Sequence, residues 1–142
     1  MAERIAKAQW NGGLKDGSGK IKLISGAFEG SYSFSSRFEE GPGTNPEELI
    51  AGAHAGCFSM ALSADLEKAG YKPNSVNTTA KVTLGKVDGK SRITKIELTT
   101  ETNVPGIQNE EFQKIAEGAK NGCPVSVALA GVDISLKAKL VQ

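Results

Sequence analysis

The sequence predicts an α+β fold with a mostly antiparallel sheet and a long buried central helix. Three observations carry this reading. Runs with period-two alternation flank one stretch of about 24 residues that is apolar or small nearly all round. Asp88-Gly89 stands between two alternating runs, as the turn of a hairpin does. A shorter helical pattern and a last alternating run follow, so the order is strands, long helix, hairpin, helix, strand. With 142 residues the chain fits a single domain, 1–142, that buries roughly two-thirds of its unfolded surface.

The first forty residues read as a meander. Lys7 to Trp10 is a short strand, and Gly12, Gly13 and Gly17 to Gly19 supply turns. Ile21 to Ile24 and Tyr32 to Phe38 are the next strands, on either side of Gly26 to Gly30. Gly41-Pro42-Gly43 breaks the pattern. Asn45 is then an N-cap, Pro46 the first helical residue, and Glu48 the partner of a capping-box-like arrangement. This helix runs to Ala69, with Gly70 as its stop. Its composition (Ala51, Gly52, Ala53, Ala55, Gly56, Ala61, Ala64) leaves no polar face, and a second subunit would help to bury it. Asn77 to Lys86 and Arg92 to Asn103 form the hairpin. Asn109 caps a helix carrying Phe112, Ile115, Ala116 and Ala119 that ends near Gly122. Cys123-Pro124-Val125-Ser126 opens a short helix, and Val132 to Val141 is the last strand.

The charge balance excludes some classes of function. The formal net charge is +1 and the charges are interspersed, so neither nucleic acid nor an anionic membrane is an expected partner. No apolar run is read as reaching the roughly 18 residues that span a bilayer. Met1 to Trp10 is broken by Glu3, Arg4 and Lys7 and lacks a signal-peptide core. The expectation is a soluble cytoplasmic protein. Two cysteines are too few for a disulfide-stapled scaffold, and in a reducing compartment such a pair is catalytic, redox-active or simply buried.

Five residues bear on chemistry. Cys57, in the middle of the long helix, is either a small core hydrophobe or a thiol whose pKa burial raises. Cys123 precedes Pro124 at a helix start, where N–H groups and the helix dipole stabilise a thiolate; on local physics it is the more reactive thiol. Arg37 is either an exposed arginine or a guanidinium that lowers a cysteine pKa and orients a peroxide oxygen. Glu47 either complements the dipole of its helix or fixes Arg37, Glu48 being engaged in capping. His54, three residues before Cys57, is either a base for the thiol or a satisfied core histidine. Two cysteines and one histidine without ligand spacing make no zinc site, and no cofactor is called for.

Taken together, Thr44-Asn45-Pro46-Glu47-Glu48-Leu49-Ile50, Ala53-His54-Ala55-Gly56-Cys57-Phe58-Ser59-Met60-Ala61-Leu62 and Gly122-Cys123-Pro124-Val125-Ser126 closely resemble the OsmC/Ohr family of osmotically inducible and organic hydroperoxide resistance proteins. Arg37 before the loop and His54-Ala55 before the cysteine make the match closer to the OsmC branch. The resemblance covers essentially the whole chain. It implies an intertwined homodimer with long helices buried between two sheets. It implies that Cys57 is the peroxidatic cysteine and Cys123 the resolving one, activated by Arg37 and Glu47. It further implies a hydroperoxide substrate and a dithiol reductant of lipoyl type, and an apolar pocket would favour organic hydroperoxides over hydrogen peroxide. Phe34, Phe38, Phe58 and Met60 are candidate walls of an apolar substrate pocket and equally ordinary core residues. Glu47 and Cys57 are ten residues apart, about 15 Å along one helix, so the activating pair is expected to serve the partner's cysteine. The alternatives are a non-catalytic redox sensor and a structural dimer with two buried thiols.

Overall fold

The computed structural model describes Met1–Gln142, and the chain divides into two compact units, Met1–Leu49 and Ile50–Gln142. In the first unit β1 (Ala6–Asn11), β2 (Ser18–Leu23) and β3 (Glu29–Tyr32) form an antiparallel sheet in that order. Gly19 lies between Trp10 and Tyr32 in register, and a Cβ there would meet the Tyr32 ring at 2.5 Å. The missing side chain lets the two rings meet across the strand, centroids 5.2 Å apart.

The strand expected over Tyr32 to Phe38 stops at Tyr32. Phe34–Phe38 is instead a short helix, α1. Ser33 decides this. Its hydroxyl accepts from the Ser36 N–H at 3.1 Å, while Ser36 Oγ accepts from the Ser33 N–H at 2.8 Å. This is a capping box built from two serines, and it outweighs the strand preference of the phenylalanines.

Helix α2 (Pro46–Lys68) follows, with Asn45 Oδ1 accepting from the Glu48 N–H at 2.7 Å. The second half of the expected box is absent, because the Glu48 carboxylate accepts from the Thr44 hydroxyl at 2.8 Å. At the other end Gly70 takes φ +93°. Its N–H donates to Glu67 O and the Tyr71 N–H to Leu66 O, which closes the last carbonyls.

In the second unit β4 (Ser75–Val87) and β5 (Lys90–Asn103) pair antiparallel through a turn in which Asp88 and Gly89 both have positive φ. α3 (Asn109–Gly122) and α4 (Pro124–Ala128) then carry the chain back to β6 (Asp133–Val141), which lies parallel to β5. That crossover makes the sheet mixed rather than wholly antiparallel. The N-cap of α3 is Gln108, one residue before the expected Asn109. Phe58, Leu62 and Leu66 of α2, Ile96 and Leu98 of β5, and Phe112, Ala116 and Ala119 of α3 form the core of this unit. A hydroxyl bond from Ser59 to Thr78, 2.7 Å, ties the helix to the sheet.

The long helix is not buried all round in the chain by itself. His54, Phe58, Leu62 and Leu66 form a row at intervals of four and are fully buried. Gly52, Ala53, Gly56, Met60 and Ala64 are exposed, Met60 at 77%. The helix is also long and apolar enough to cross a bilayer by length and composition, with a mean hydropathy of 1.3. This corrects the expectation that no stretch reaches that length; alanine and glycine interrupt the large apolar residues without adding charge. Core helices of water-soluble proteins have the same character.

Leu62→Ala is expected to cost about 2–5 kcal/mol, because the leucine is fully enclosed between helix and sheet. Urea unfolding followed by circular dichroism measures this, and a loss well below that range would mean that the row can collapse around the gap.

Candidate active site

The thiol site belongs to the second unit. Cys123 sits where α3 ends and α4 begins, with φ −59° and ψ 131°. Its N–H donates to Ala119 O at 3.0 Å, closing α3. Its sulfur accepts from the Ser126 N–H at 3.4 Å, capping α4. Pro124 occupies the first position of α4, where no N–H is needed. The first-turn amides of Val125 and Ser126 are thereby left to face sulfur.

Cys57 comes from α2, half-buried, and its thiol lies within hydrogen-bonding reach of the fully buried Cys123 although 66 positions separate them. Both thiols are free. Burial raises the Cys57 pKa above the usual thiol value, and donation to Cys123 raises it further, against a smaller opposing effect of the Val125 amide. Burial also acts to raise Cys123. Hydrogen bonds from the Cys57 thiol, from the Ser126 amide and hydroxyl, and from the Val125 amide outweigh it, so Cys123 ends below the usual value. In the chain by itself Cys123 is therefore the more acidic of the two thiols. This agrees with the local reading of the sequence.

His54 is fully buried, and its Nε2 lies 2.7 Å from Ser126 Oγ. Its Nδ1 has no partner. Desolvation lowers its pKa. The expected satisfied core histidine is thus satisfied at one nitrogen only. Ser126 was not among the residues singled out from the sequence. A signal was present, since Cys-Pro-x-Ser puts a hydroxyl at the third helical position behind an N-cap, where capping partners sit.

A second group of functional side chains belongs to the first unit. Arg37, in the last turn of α1, donates from Nε to Glu47 Oε1 at 3.1 Å and from Nη2 to Glu47 Oε2 at 3.0 Å. This fork holds the guanidinium in one orientation. Glu47 is buried and Arg37 is exposed. Arg37 also edges a cavity of about 210 Å³ whose walls include Trp10, Leu14, Tyr32, Phe34 and Phe38. Two expected wall residues are not there: Phe58 is fully buried in the core of the second unit, and Met60 is exposed on α2. No three His, Cys, Asp or Glu side chains gather closely enough to hold a metal ion.

Comparison with known proteins places these residues in context. The family described as OsmC-like protein matches residues 39–137. The chain is 52% identical over 124 residues to peroxiredoxin OsmC of Escherichia coli (strain K12), covering 87% of each. It is 36% identical over 98 residues to an organic hydroperoxide resistance protein of Xanthomonas axonopodis pv. citri, covering 68% of this chain and 67% of the relative. The crystal structure of an organic hydroperoxide resistance protein OsmC from Legionella pneumophila superposes with a TM-score of 0.75 at 26% identity, covering 98% of both chains.

The buried imidazole makes stability depend on pH. With its folded pKa lowered from 6.5, His54 takes up a proton more readily in the unfolded chain. Acidification below 6.5 therefore favours unfolding, and the contribution levels off above that value. The urea midpoint should fall as the pH is lowered through this window, and less steeply in His54→Leu. Equal slopes in the two proteins would mean that His54 titrates alike in the folded and the unfolded chain.

Proposed function

The chain belongs to the OsmC-like family, and from that premise we propose that it is a thiol-dependent peroxidase that reduces organic hydroperoxides through Cys57, with Cys123 as the resolving thiol. The observation that carries the reading is the pairing of the two free cysteines within hydrogen-bonding reach, Cys57 on α2 and Cys123 at the junction of α3 and α4. The relatives' names, peroxiredoxin and organic hydroperoxide resistance protein, support the same chemistry.

In the proposed cycle the Cys57 thiolate attacks the outer peroxide oxygen. The O–O bond breaks and the alkoxide leaves as an alcohol after taking a proton. The Cys57 sulfenic acid then condenses with Cys123, releasing water and forming a disulfide. A dithiol donor of lipoyl type completes the cycle by reducing it. No cofactor or metal takes part, and a reducing cytoplasm is the compartment that fits such a cycle.

The raised pKa of Cys57 has to be overcome. The Arg37–Glu47 pair is the natural agent, because a fixed guanidinium favours a thiolate and can hold the peroxide oxygens. Glu47 and Cys57 are ten residues apart on one helix, so we assign the pair to Cys57 of a second protomer. The bare row of α2 supports a homodimer. Gly52 and Gly56 are four residues apart with open space around them, and helical glycine disfavours folding unless a close backbone approach requires it. The aromatic cavity beside Arg37 suits the organic part of a hydroperoxide, which favours bulky substrates over hydrogen peroxide.

Cys57→Ser should abolish turnover of cumene hydroperoxide with dihydrolipoamide. Cys123→Ser should form the Cys57 sulfenic acid and then stop, with over-oxidation visible by mass spectrometry. Wild-type turnover in Cys57→Ser would sink the mechanism, whereas one oxidation without turnover in the native chain would make the pair a redox sensor.

The shared site is tested by refolding Arg37→Ala and Cys57→Ser chains together. Each alone should be inactive, while the mixture should recover one working site in about half of its dimers. No recovery, with heterodimers confirmed by native mass spectrometry, would place both contributions in one protomer.

A further inference from the structure

The buried row of α2 is apolar except at its first position. Phe58, Leu62 and Leu66 fill the core, but His54 brings an imidazole into the same environment and leaves Nδ1 without a partner. An apolar side chain would pack there without that desolvation cost. What the imidazole does make is a single short contact, 2.7 Å, to a serine 72 positions away. That serine in turn donates its amide to the Cys123 sulfur at 3.4 Å, and its hydroxyl is among the groups that lower the Cys123 pKa.

The donors fix the direction of this chain of contacts. The Ser126 hydroxyl has one proton. When it donates to the Cys123 thiolate it must accept from His54, so Nε2 carries the imidazole proton and Nδ1 keeps a lone pair. The orphan at Nδ1 agrees, because a buried acceptor without a donor is tolerated better than a buried N–H without an acceptor.

We propose that His54 is a positioning residue that acts through Ser126: a buried relay, His54 Nε2–H to Ser126 Oγ–H to Cys123 Sγ, holds the resolving thiolate ready to attack oxidised Cys57. The proposal rests on the peroxidase reading for the role of Cys123. In the step it serves, the Cys123 sulfur forms the S–S bond as the S–O bond of the Cys57 sulfenic acid breaks. The departing hydroxide combines with the proton that Cys123 released, so one water leaves and no further oxidant or reductant enters. The titratable groups that bear on Cys123 are Cys57 and His54, both from α2.

The direct test follows thiolate absorbance against pH in the Cys57→Ser protein, where Cys123 is the one remaining thiol. Ser126→Ala and His54→Leu should each raise its midpoint by about one pH unit, the usual worth of one such hydrogen bond. The double variant should go no further than either single variant, because both interrupt one path. His54→Gln and Ser126→Thr, which keep a donor in place, should restore the midpoint. In the two-cysteine protein the loss should fall on disulfide formation rather than on sulfenic-acid formation. It should be about threefold rather than tenfold, since a more basic thiolate is also the better nucleophile. An unmoved midpoint in folded His54→Leu, or additive shifts, would overturn the relay. Ser126→Ala removes only an oxygen and keeps the test open if His54→Leu fails to fold. The titration uses no peroxide, so an absence of turnover in the native protein would sink the peroxidase reading while leaving the relay to be judged by the midpoints alone.

Discussion

Pro124 has no N–H to donate, and α3 has to end in front of it. The break falls on Cys123, which closes one helix with its amide and opens the next with its sulfur. The rest of the thiol site depends on this constraint. It turns the free amides of a new helix toward sulfur, fixes the Cys123 side chain, and puts Ser126 at the position that reaches both the sulfur and His54. A continuous helix would have spent those amides on its own carbonyls.

The electrostatic consequence is an unequal pair of thiols. Cys123 collects the hydrogen bonds and is the more acidic, while burial holds the Cys57 pKa up. A peroxidatic role for Cys57 therefore needs a cation that the second unit does not supply within its own hydrogen-bond network. The Arg37 guanidinium, held in one orientation by the buried Glu47 carboxylate, is the cation proposed for this role. The same chain presents a row of small residues along α2 with nothing against it. One dimer contact would meet both needs.

Much of the framework was legible in the sequence. The long helix, its Asn45 cap and its Gly70 stop follow from local chemistry, as do the Asp88-Gly89 turn and the Cys123 cap, because each depends on residues a few positions apart. The misreadings also have local causes. Phe34 to Phe38 has strand composition, yet two serines three apart close a helical turn. Glu48 had the spacing of a capping box, but the Thr44 hydroxyl was the nearer donor for its carboxylate. Phe58 and Met60 were equivalent as wall candidates by composition. Their places on α2, one facing the core and one facing outward, separate them.

By itself the sequence determined most of the elements, the helix over Phe34 to Phe38 excepted, together with the break before Pro124, the two cysteine motifs and the candidacy of Arg37 and Glu47. These are properties of neighbouring residues, where spacing fixes geometry. Only the tertiary structure decided that Cys57 meets Cys123 across 66 positions and that His54 reaches Ser126 rather than the thiol three residues away. It also decided that Glu47 closes a fork on Arg37. Contacts between distant segments depend on how helices seat on a sheet, and no local rule of spacing carries that information.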